Sequence, residues 1–265
     1  MATAEILLRV RDYDLAATLD SGQVFRWRQN GDSWEGIVGK YFVRLTQTPG
    51  GIRAETAAPV ADWRWLRDFL QTETDLPAVL KTFPDDEPMR NAVAACRGLR
   101  LLRQEPWECL ASFILSSTKQ IVQIRQIIAL LCERFGERLA PRPPISNDRH
   151  CAFPSPEKIA AARQVAEGKL DLENIRKLPL AEARAELMRL RGVGGKIADC
   201  VLLFAYGFDA AFPVDVWIGR ALRQLYFPRR RPTEKRLRQF AATHFGPHAG
   251  YAQQYLFHYM RTKMK

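Results

Sequence analysis

The chain has 265 residues, of which 47% are hydrophobic and 26% are charged. This composition predicts a globular protein with room for two modest domains, and it excludes a disordered chain. An excess of 40 Lys and Arg over 29 Asp and Glu gives a net charge of +11 and an isoelectric point near 9.7. Such charge favours a polyanionic partner such as nucleic acid, although a merely soluble basic protein can carry it too.

The cysteines and the apolar runs restrict where the protein works. The five cysteines are scattered, odd in number and without CxxC spacing, which predicts reduced thiols and no iron–sulfur cluster. No apolar run approaches the roughly 18 residues that span a membrane. Residues 1–5 also lack the basic and apolar regions of a secretory signal. We therefore expect an intracellular protein that does not associate with membranes.

The first part of the chain has the pattern of an antiparallel sheet. Phe25 and Trp27 alternate with polar residues and are predicted to share one face of a strand. Asn30-Gly31 and the Pro-Gly-Gly at 49–51 are turn signals between such runs. Together these patterns predict strands within 6–10, 24–28, 34–38, 41–46 and 52–56.

From about residue 61 the apolar residues take helical spacing. Trp63, Leu66 and Leu70 lie three and four residues apart. A longer stripe predicts a helix buried along one face, at Ile121, Ile124, Ile128, Leu131 and Phe135. A proline-rich loop runs from 141 to about 156, and Pro156-Glu157 is a good helix start after it. The overall prediction is an α+β fold, with the sheet first and helices after it.

The segment 190–200, Leu-Arg-Gly-Val-Gly-Gly-Lys-Ile-Ala-Asp-Cys, lies between two helical patterns. Gly192 and Gly194 let the backbone turn tightly and approach another chain closely. The N–H groups that open the next helix can then bind a phosphate without side-chain charge. A Gly-x-Gly turn also joins ordinary helices, so that alternative stays open on these residues alone.

The residues that follow this turn add chemistry. Lys196 lies in the first turn of the second helix, and Cys200 lies one turn later on the same face. The positive end of the helix dipole, together with burial, favours the neutral amine that a nucleophilic lysine needs. Asp215 is placed where a further helix begins, so an N-cap is the structural alternative to a catalytic role. Together the amine and the carboxylate can attack an anomeric carbon and stabilise a cation-like sugar.

The chain resembles the 8-oxoguanine DNA glycosylase/AP lyase family of the helix-hairpin-helix superfamily. Besides the hairpin, the similar segments are 21–27 (Ser-Gly-Gln-Val-Phe-Arg-Trp), 100–110 and 246–257. The resemblance implies an N-terminal α/β domain over 1–104, built on the antiparallel sheet. It also implies an all-helical helix-hairpin-helix domain over 105–265.

The resemblance further implies an enzyme of base-excision repair. It would excise 8-oxoguanine from double-stranded DNA and nick the strand by β-elimination, with no metal or organic cofactor. Lys196 would be the nucleophile that forms a Schiff base, and Asp215 would stabilise the developing sugar cation. We expect a monomer, located with the DNA in the cytoplasm and nucleoid, or in the nucleus.

Four more residues receive roles from the resemblance. The Gly22 carbonyl would accept the N7 hydrogen that oxidised guanine has and guanine lacks. Cys200 and Phe257 would hold the base between them, and Gln253 would read its Watson–Crick edge. Without the resemblance, core packing, a strand turn or an exposed amide would explain these residues equally well.

Departures from the family pattern concern recognition of the opposite strand. The family has an Asn triplet after Ser-Ser, whereas here Ser117 is followed by Thr118-Lys119-Gln120. Gln123 stands where the family has an Arg that reads the opposite cytosine. A Gly-Tyr-Arg segment that wedges into the DNA stack is also not found between Pro156 and Leu190. The alternatives are therefore a DNA-binding or AP-lyase-only relative with impaired base excision, or a glycosylase for another lesion.

Overall fold

The computed structural model describes residues 4–116, 120–139, 150–159 and 170–263. Its N-terminal part forms a five-stranded sheet that is antiparallel throughout, in the order β1-β5-β4-β3-β2. The strands are Ala4–Leu8 (β1), Arg28–Asn30 (β2), Ser33–Val38 (β3), Tyr41–Thr48 (β4) and Gly51–Thr56 (β5). The predicted antiparallel sheet is therefore confirmed.

The prediction of a strand over 24–28 is wrong except at Arg28, where β2 begins. Phe25 and Trp27 do not share a face. Phe25 contacts Phe113 edge to face in the helical core, with 5.6 Å between ring centroids. Trp27 instead stacks on Phe69 in the core beneath the sheet, at 5.8 Å. The chain therefore passes between the two cores at residues 25–27, with the Phe25 ring packed in the helical core and the Trp27 ring packed beneath the sheet.

Helices form most of the rest of the described chain. They are Leu15–Asp20 (α1), Arg64–Leu70 (α2), Leu76–Leu80 (α3), Glu87–Ala95 (α4), Pro106–Leu115 (α5), Ile121–Phe135 (α6), Leu172–Ile175 (α7), Leu180–Met188 (α8), Gly195–Val201 (α9), Val216–Tyr226 (α10), Glu234–His244 (α11) and Ala249–Lys263 (α12). A π-helical turn, Leu202–Tyr206, extends α9. The predicted α+β fold is confirmed.

The long apolar stripe forms α6, but it is buried only in its middle. Ile124 and Ile128 are buried, together with Cys132 one turn later. Phe135, the last residue of the helix, is 44% exposed. The prediction that Phe135 belongs to the buried stripe is therefore wrong, because the periodicity of the sequence continues past the point where the core ends.

Two hydrophobic clusters hold the molecule together. One lies between the sheet and α2 and contains Trp27 and Leu66. The other is helical and includes residues of α3 and α4 and of every helix from α5 to α12. Neighbouring residues Leu101 and Leu102 belong to different clusters, so the chain passes between the cores there. The domain boundary after residue 104 remains a prediction.

All five cysteines are buried free thiols, as their spacing predicted. Among the described helices, none has both the length and the apolar character needed to cross a bilayer. Pro156 begins only a three-residue 3₁₀ turn, Pro156–Lys158, because the backbone is already extended at Ile159. The predictions for Thr118 and for the wedge segment missing near 162–168 lie outside the described residues.

Candidate active site

A cavity of about 460 Å³ opens between the loop after α1, the start of α9 and the C-terminal helix α12. The sequence placed its candidate residues in four separate segments. The cavity brings together all six residues expected to act on the sugar or the base: Gly22, Lys196, Cys200, Asp215, Gln253 and Phe257.

The glycine-rich turn joins α8 to α9 at one side of this cavity. Gly192 has a φ of +88°, which glycine adopts at little cost, and Gly194 is the N-cap of α9. Apart from the adjacent residues of the chain, no atom lies within 4 Å of where a Cβ would stand on either glycine. The backbone N–H groups at the start of α9 are therefore open to a close approach, as phosphate binding requires.

Lys196 is the second residue of α9 and is half-buried. Its Nζ lies 5.1 Å from the centre of the Phe113 ring, which covers one side of the amine. On the buried side of the helix, the Asp199 carboxylate is 2.6 Å from Arg184 and 3.5 Å from Arg238. These ion pairs tie α9 to α8 and α11, so the helix that carries Lys196 is held on both sides.

Asp215 is the N-cap of α10, and its Oδ1 accepts a hydrogen bond of 2.7 Å from the Ile218 backbone N–H. The N-cap role is therefore present, and the same side chain also lines the cavity. Burial raises the pKa of Asp215, whereas the bond from Ile218 and the charge of Lys196 lower it. The carboxylate is thus partly desolvated beside the amine, where its charge acts more strongly than in water.

Gly22 lies in the loop after α1 with a φ of +83°. Buried amides hold this loop in place. Gln254 Nε2 donates to the Ser21 carbonyl at 2.9 Å, and Gln23 Nε2 donates to the Arg100 carbonyl at 2.7 Å. Both bonds leave the Gly22 carbonyl unused, and Gly22 itself lines the cavity.

The remaining three residues differ in chemistry. Burial raises the pKa of the Cys200 thiol to about 12, so at neutral pH it is a neutral wall of the cavity. Gln253 is 4% exposed, and its Oε1 has no hydrogen-bond partner among the described residues. A buried amide oxygen without a donor is costly, so this atom points to a ligand that supplies one. Phe257 lies one turn later on α12 and is half-buried.

Comparison with known proteins identifies the family. The model of the 8-oxoguanine DNA glycosylase N-terminal domain matches residues 5–110. The structure of MBOgg1 in complex with a low-affinity DNA ligand is 30% identical and superposes with a TM-score of 0.90, covering 99% of this chain and 96% of that one. The chain belongs to the 8-oxoguanine DNA glycosylase family.

Two further members of this family align with nearly the whole chain. The 8-oxoguanine glycosylase/lyase of Clostridium acetobutylicum, solved with double-stranded DNA containing cytosine opposite 8-oxoguanine, is 26% identical. Its TM-score is 0.88, with 98% of this chain and 99% of that chain covered. The N-glycosylase/DNA lyase OGG1 of Arabidopsis thaliana is 29% identical over 282 residues, covering 92% of this chain and 76% of that protein.

Gln123 departs from the family pattern, and the structure gives it a local partner. It is exposed near the start of α6, and its Oε1 accepts a hydrogen bond of 3.1 Å from the Gln120 backbone N–H. Gln123 does not line the cavity, whereas its neighbours Ile121 and Val122 do. Its amide is therefore engaged in closing the first turn of the helix.

We expect excision opposite bases other than cytosine with only a modest penalty. Gln123 is neutral, both donates and accepts hydrogen bonds, and is held by its own helix, so it discriminates poorly between opposite bases. The measurement is single-turnover excision of 8-oxoguanine paired with each of the four bases. Gln123→Arg should increase the preference for cytosine, whereas Gln126→Arg on the same helix is the charge-matched control. Excision by the wild type confined to cytosine-paired lesions would contradict this.

Phe113 and Arg261 are cavity residues that the sequence analysis did not single out. Phe113, which covers the Lys196 amine, lies in a strongly apolar helix where it looks like ordinary core. Arg261 lines the same cavity from the last turns of α12. A basic residue at a helix C-terminus is common because it compensates the helix dipole, so the sequence carried no signal for a second role.

Proposed function

We propose that this chain is a bifunctional DNA glycosylase/AP lyase that excises 8-oxoguanine from double-stranded DNA and nicks the strand. The observation that carries the proposal is the convergence of an amine, a carboxylate and the unpartnered amide oxygen of Gln253 on one cavity. These groups supply a nucleophile, a stabilising charge and a hydrogen-bond acceptor for a base. The family membership supports the same activity.

The target base must leave the duplex, because the sugar C1′ and the base edges are otherwise inaccessible. The Nζ lone pair of Lys196 attacks C1′, the C1′–N9 bond breaks, and the base departs with the bonding electrons and takes up a proton released from Nζ. Positive charge develops on the sugar as this bond breaks. The Asp215 carboxylate, already partly desolvated, stabilises that charge without having to reorganise.

The second step follows from the covalent bond. The C1′–O4′ bond then breaks, O4′ takes up the proton that Nζ loses, and the opened sugar is joined to Lys196 by an imine at C1′. The imine draws electrons from the C1′–C2′ region, so a C2′ proton is lost and the 3′ phosphate leaves. One lysine thus supports both base removal and strand cleavage, and no residue from a second chain is needed. We accordingly propose a monomer that acts where the DNA lies.

Base recognition uses the walls of the same cavity. The Gly22 carbonyl accepts N7–H of 8-oxoguanine, while guanine presents an acceptor there and is repelled. Gln253 Oε1 obtains its missing donor from the Watson–Crick edge of the base. Cys200 and Phe257 contact the two faces of the ring. The hairpin N–H groups beside Gly192 and Gly194 hold a backbone phosphate nearby.

The proposal is tested on duplexes that carry either 8-oxoguanine or a preformed abasic site. We expect release of 8-oxoguanine and trapping of a covalent protein–DNA complex by borohydride. Strand cleavage of the abasic duplex without release of 8-oxoguanine would instead identify an AP-lyase-only relative. Binding without either reaction would leave a DNA-binding protein, and preferred release of another damaged base would indicate a different lesion.

Because no Gly-Tyr-Arg wedge is found in the sequence, we expect the excision rate to depend on the free energy needed to extrude the base from the duplex. Extrusion from a paired duplex costs a few kcal/mol, which inserted side chains normally help to offset. Single-turnover excision should therefore be faster from a mismatched duplex or a single strand than from a matched duplex. Grafting a Gly-Tyr-Arg-containing segment after Ala162 should bring the excision rate on matched duplex closer to the rates on mismatched duplex and single strand. Equal rates on all three substrates before grafting would show that no wedge is needed.

A further inference from the structure

Arg261 is a charged group in the cavity that the proposed chemistry does not use. It lies one helical turn after Phe257 on α12 and is half-buried. Its Nη1 donates to the Asp20 carbonyl at 3.2 Å, and its guanidinium carbon lies 5.5 Å from the centre of the Phe257 ring. The side chain is thereby held beside the aromatic ring that borders the base.

The guanidinium also lies next to Gly22. Its Nη1 is 3.4 Å from the position that a Cβ on Gly22 would occupy, the same distance as the Phe257 ring. Gly22 and the N–H donors of Arg261 therefore lie at the same end of the cavity.

The charge of Arg261 is not neutralised by a direct ion pair with the nearby carboxylate. The Asp20 carboxylate is bound by Arg125 at 2.9 Å, and Arg261 contacts only the backbone carbonyl of that residue. Burial lowers the pKa of Arg261, whereas the negative charge of Asp20 raises it and the positive charge of Arg125 lowers it again. A guanidinium carries five N–H donors and no acceptor. The Arg261 guanidinium is therefore a partly desolvated cation that lines the cavity, and its one bond to the Asp20 carbonyl leaves further N–H donors for a ligand.

Oxidation of guanine changes two adjacent positions on one edge of the base. N7 becomes a donor, and C8 gains a carbonyl oxygen that is an acceptor. We propose that Arg261 is a specificity-determining residue that donates a hydrogen bond to the C8 oxygen while the Gly22 carbonyl accepts N7–H. This inference rests on the proposed function. Guanine offers the opposite hydrogen-bonding character at N7 and only a C–H at C8, so both contacts are lost together.

The first test compares Arg261→Met with Arg125→Met in single-turnover assays. Both variants lose one positive charge beside Asp20, but only Arg261 lines the cavity of the base. Arg261→Met should slow release of 8-oxoguanine about tenfold or more, the scale of a hydrogen bond to a charged group. Cleavage of a preformed abasic site should be unchanged, because no base is present. Arg125→Met should affect the two reactions equally or not at all.

The second test measures binding in the Lys196→Gln background, with and without Arg261→Met. Duplexes carrying 8-oxoguanine or a tetrahydrofuran abasic analogue are compared. The preference for 8-oxoguanine should fall about tenfold, and Arg261→Lys, which keeps a donor, should retain part of it. Equal loss of affinity for both duplexes would mean a phosphate contact and would overturn the inference, as would an unchanged preference.

These tests separate the inference from the proposed function. If the wild type releases no 8-oxoguanine, the proposed function fails, and the binding preference alone decides the role of Arg261. If the wild type releases 8-oxoguanine but Arg261→Met does so at the normal rate, only the inference fails. Thermal unfolding of each variant identifies any loss of the folded state.

Discussion

Lys196→Gln should abolish borohydride trapping and slow the release of 8-oxoguanine on the order of a thousandfold or more, the scale on which removal of a nucleophile acts. The amide cannot form a Schiff base, so both base removal and strand cleavage lose their common intermediate. The amine is set by the first turn of α9 and covered by Phe113. We therefore expect no other lysine to replace it.

The variant should still bind DNA. Affinity for DNA is spread over many phosphate contacts, and the hairpin N–H groups are unaffected. Lys177→Gln is the matched control, since it removes the same charge from an exposed residue that does not line the cavity. Trapping of Lys196→Gln as efficient as that of the wild type would refute the assignment, and loss of DNA binding would show that the variant acts through the fold.

Asp215→Asn should lower the single-turnover excision rate on the order of a hundredfold or more, with little change in stability. Asn caps a helix about as well as Asp, so the bond from the Ile218 N–H can persist. The negative charge beside the sugar is lost, and preorganised charges of this kind are worth such factors. Asp171→Asn is the matched control, because Asp171 caps α7 and does not line the cavity. Near-normal excision by Asp215→Asn would leave Asp215 with a capping role alone.

The pH dependence gives an independent measure of the same carboxylate. Burial raises the pKa of Asp215, and the reaction needs its ionised form. On acidification the excision rate should therefore begin to drop at a higher pH than an ordinary aspartate would give. Asp215→Asn should lack this acid limb. A raised pKa in the folded state makes the contribution of this group to stability largest at low pH, and the contribution is lost as pH rises through that pKa. Loss of activity on acidification with unchanged stability would therefore reflect catalysis.

Local patterns along the sequence determined the elements and the chemical groups of this protein. Alternation and turn signals predicted the sheet, and helical spacing predicted α2 and α6. The glycine-rich turn, Lys196 at a helix start and Asp215 at an N-cap were predicted from spacing and residue type. Such predictions succeed because backbone conformation and helix capping depend on residues only a few positions apart.

Only the tertiary structure decided which of these residues meet. Gly22, Lys196 and Gln253 are separated by up to 231 residues in the chain, yet they line one cavity. Phe25 and Trp27 alternate like a strand but enter different cores. Arg261 looks like a dipole-compensating residue until its guanidinium is found beside Gly22. Burial, unpartnered atoms and long-range contacts depend on how the elements pack together, and no local pattern of sequence encodes that packing.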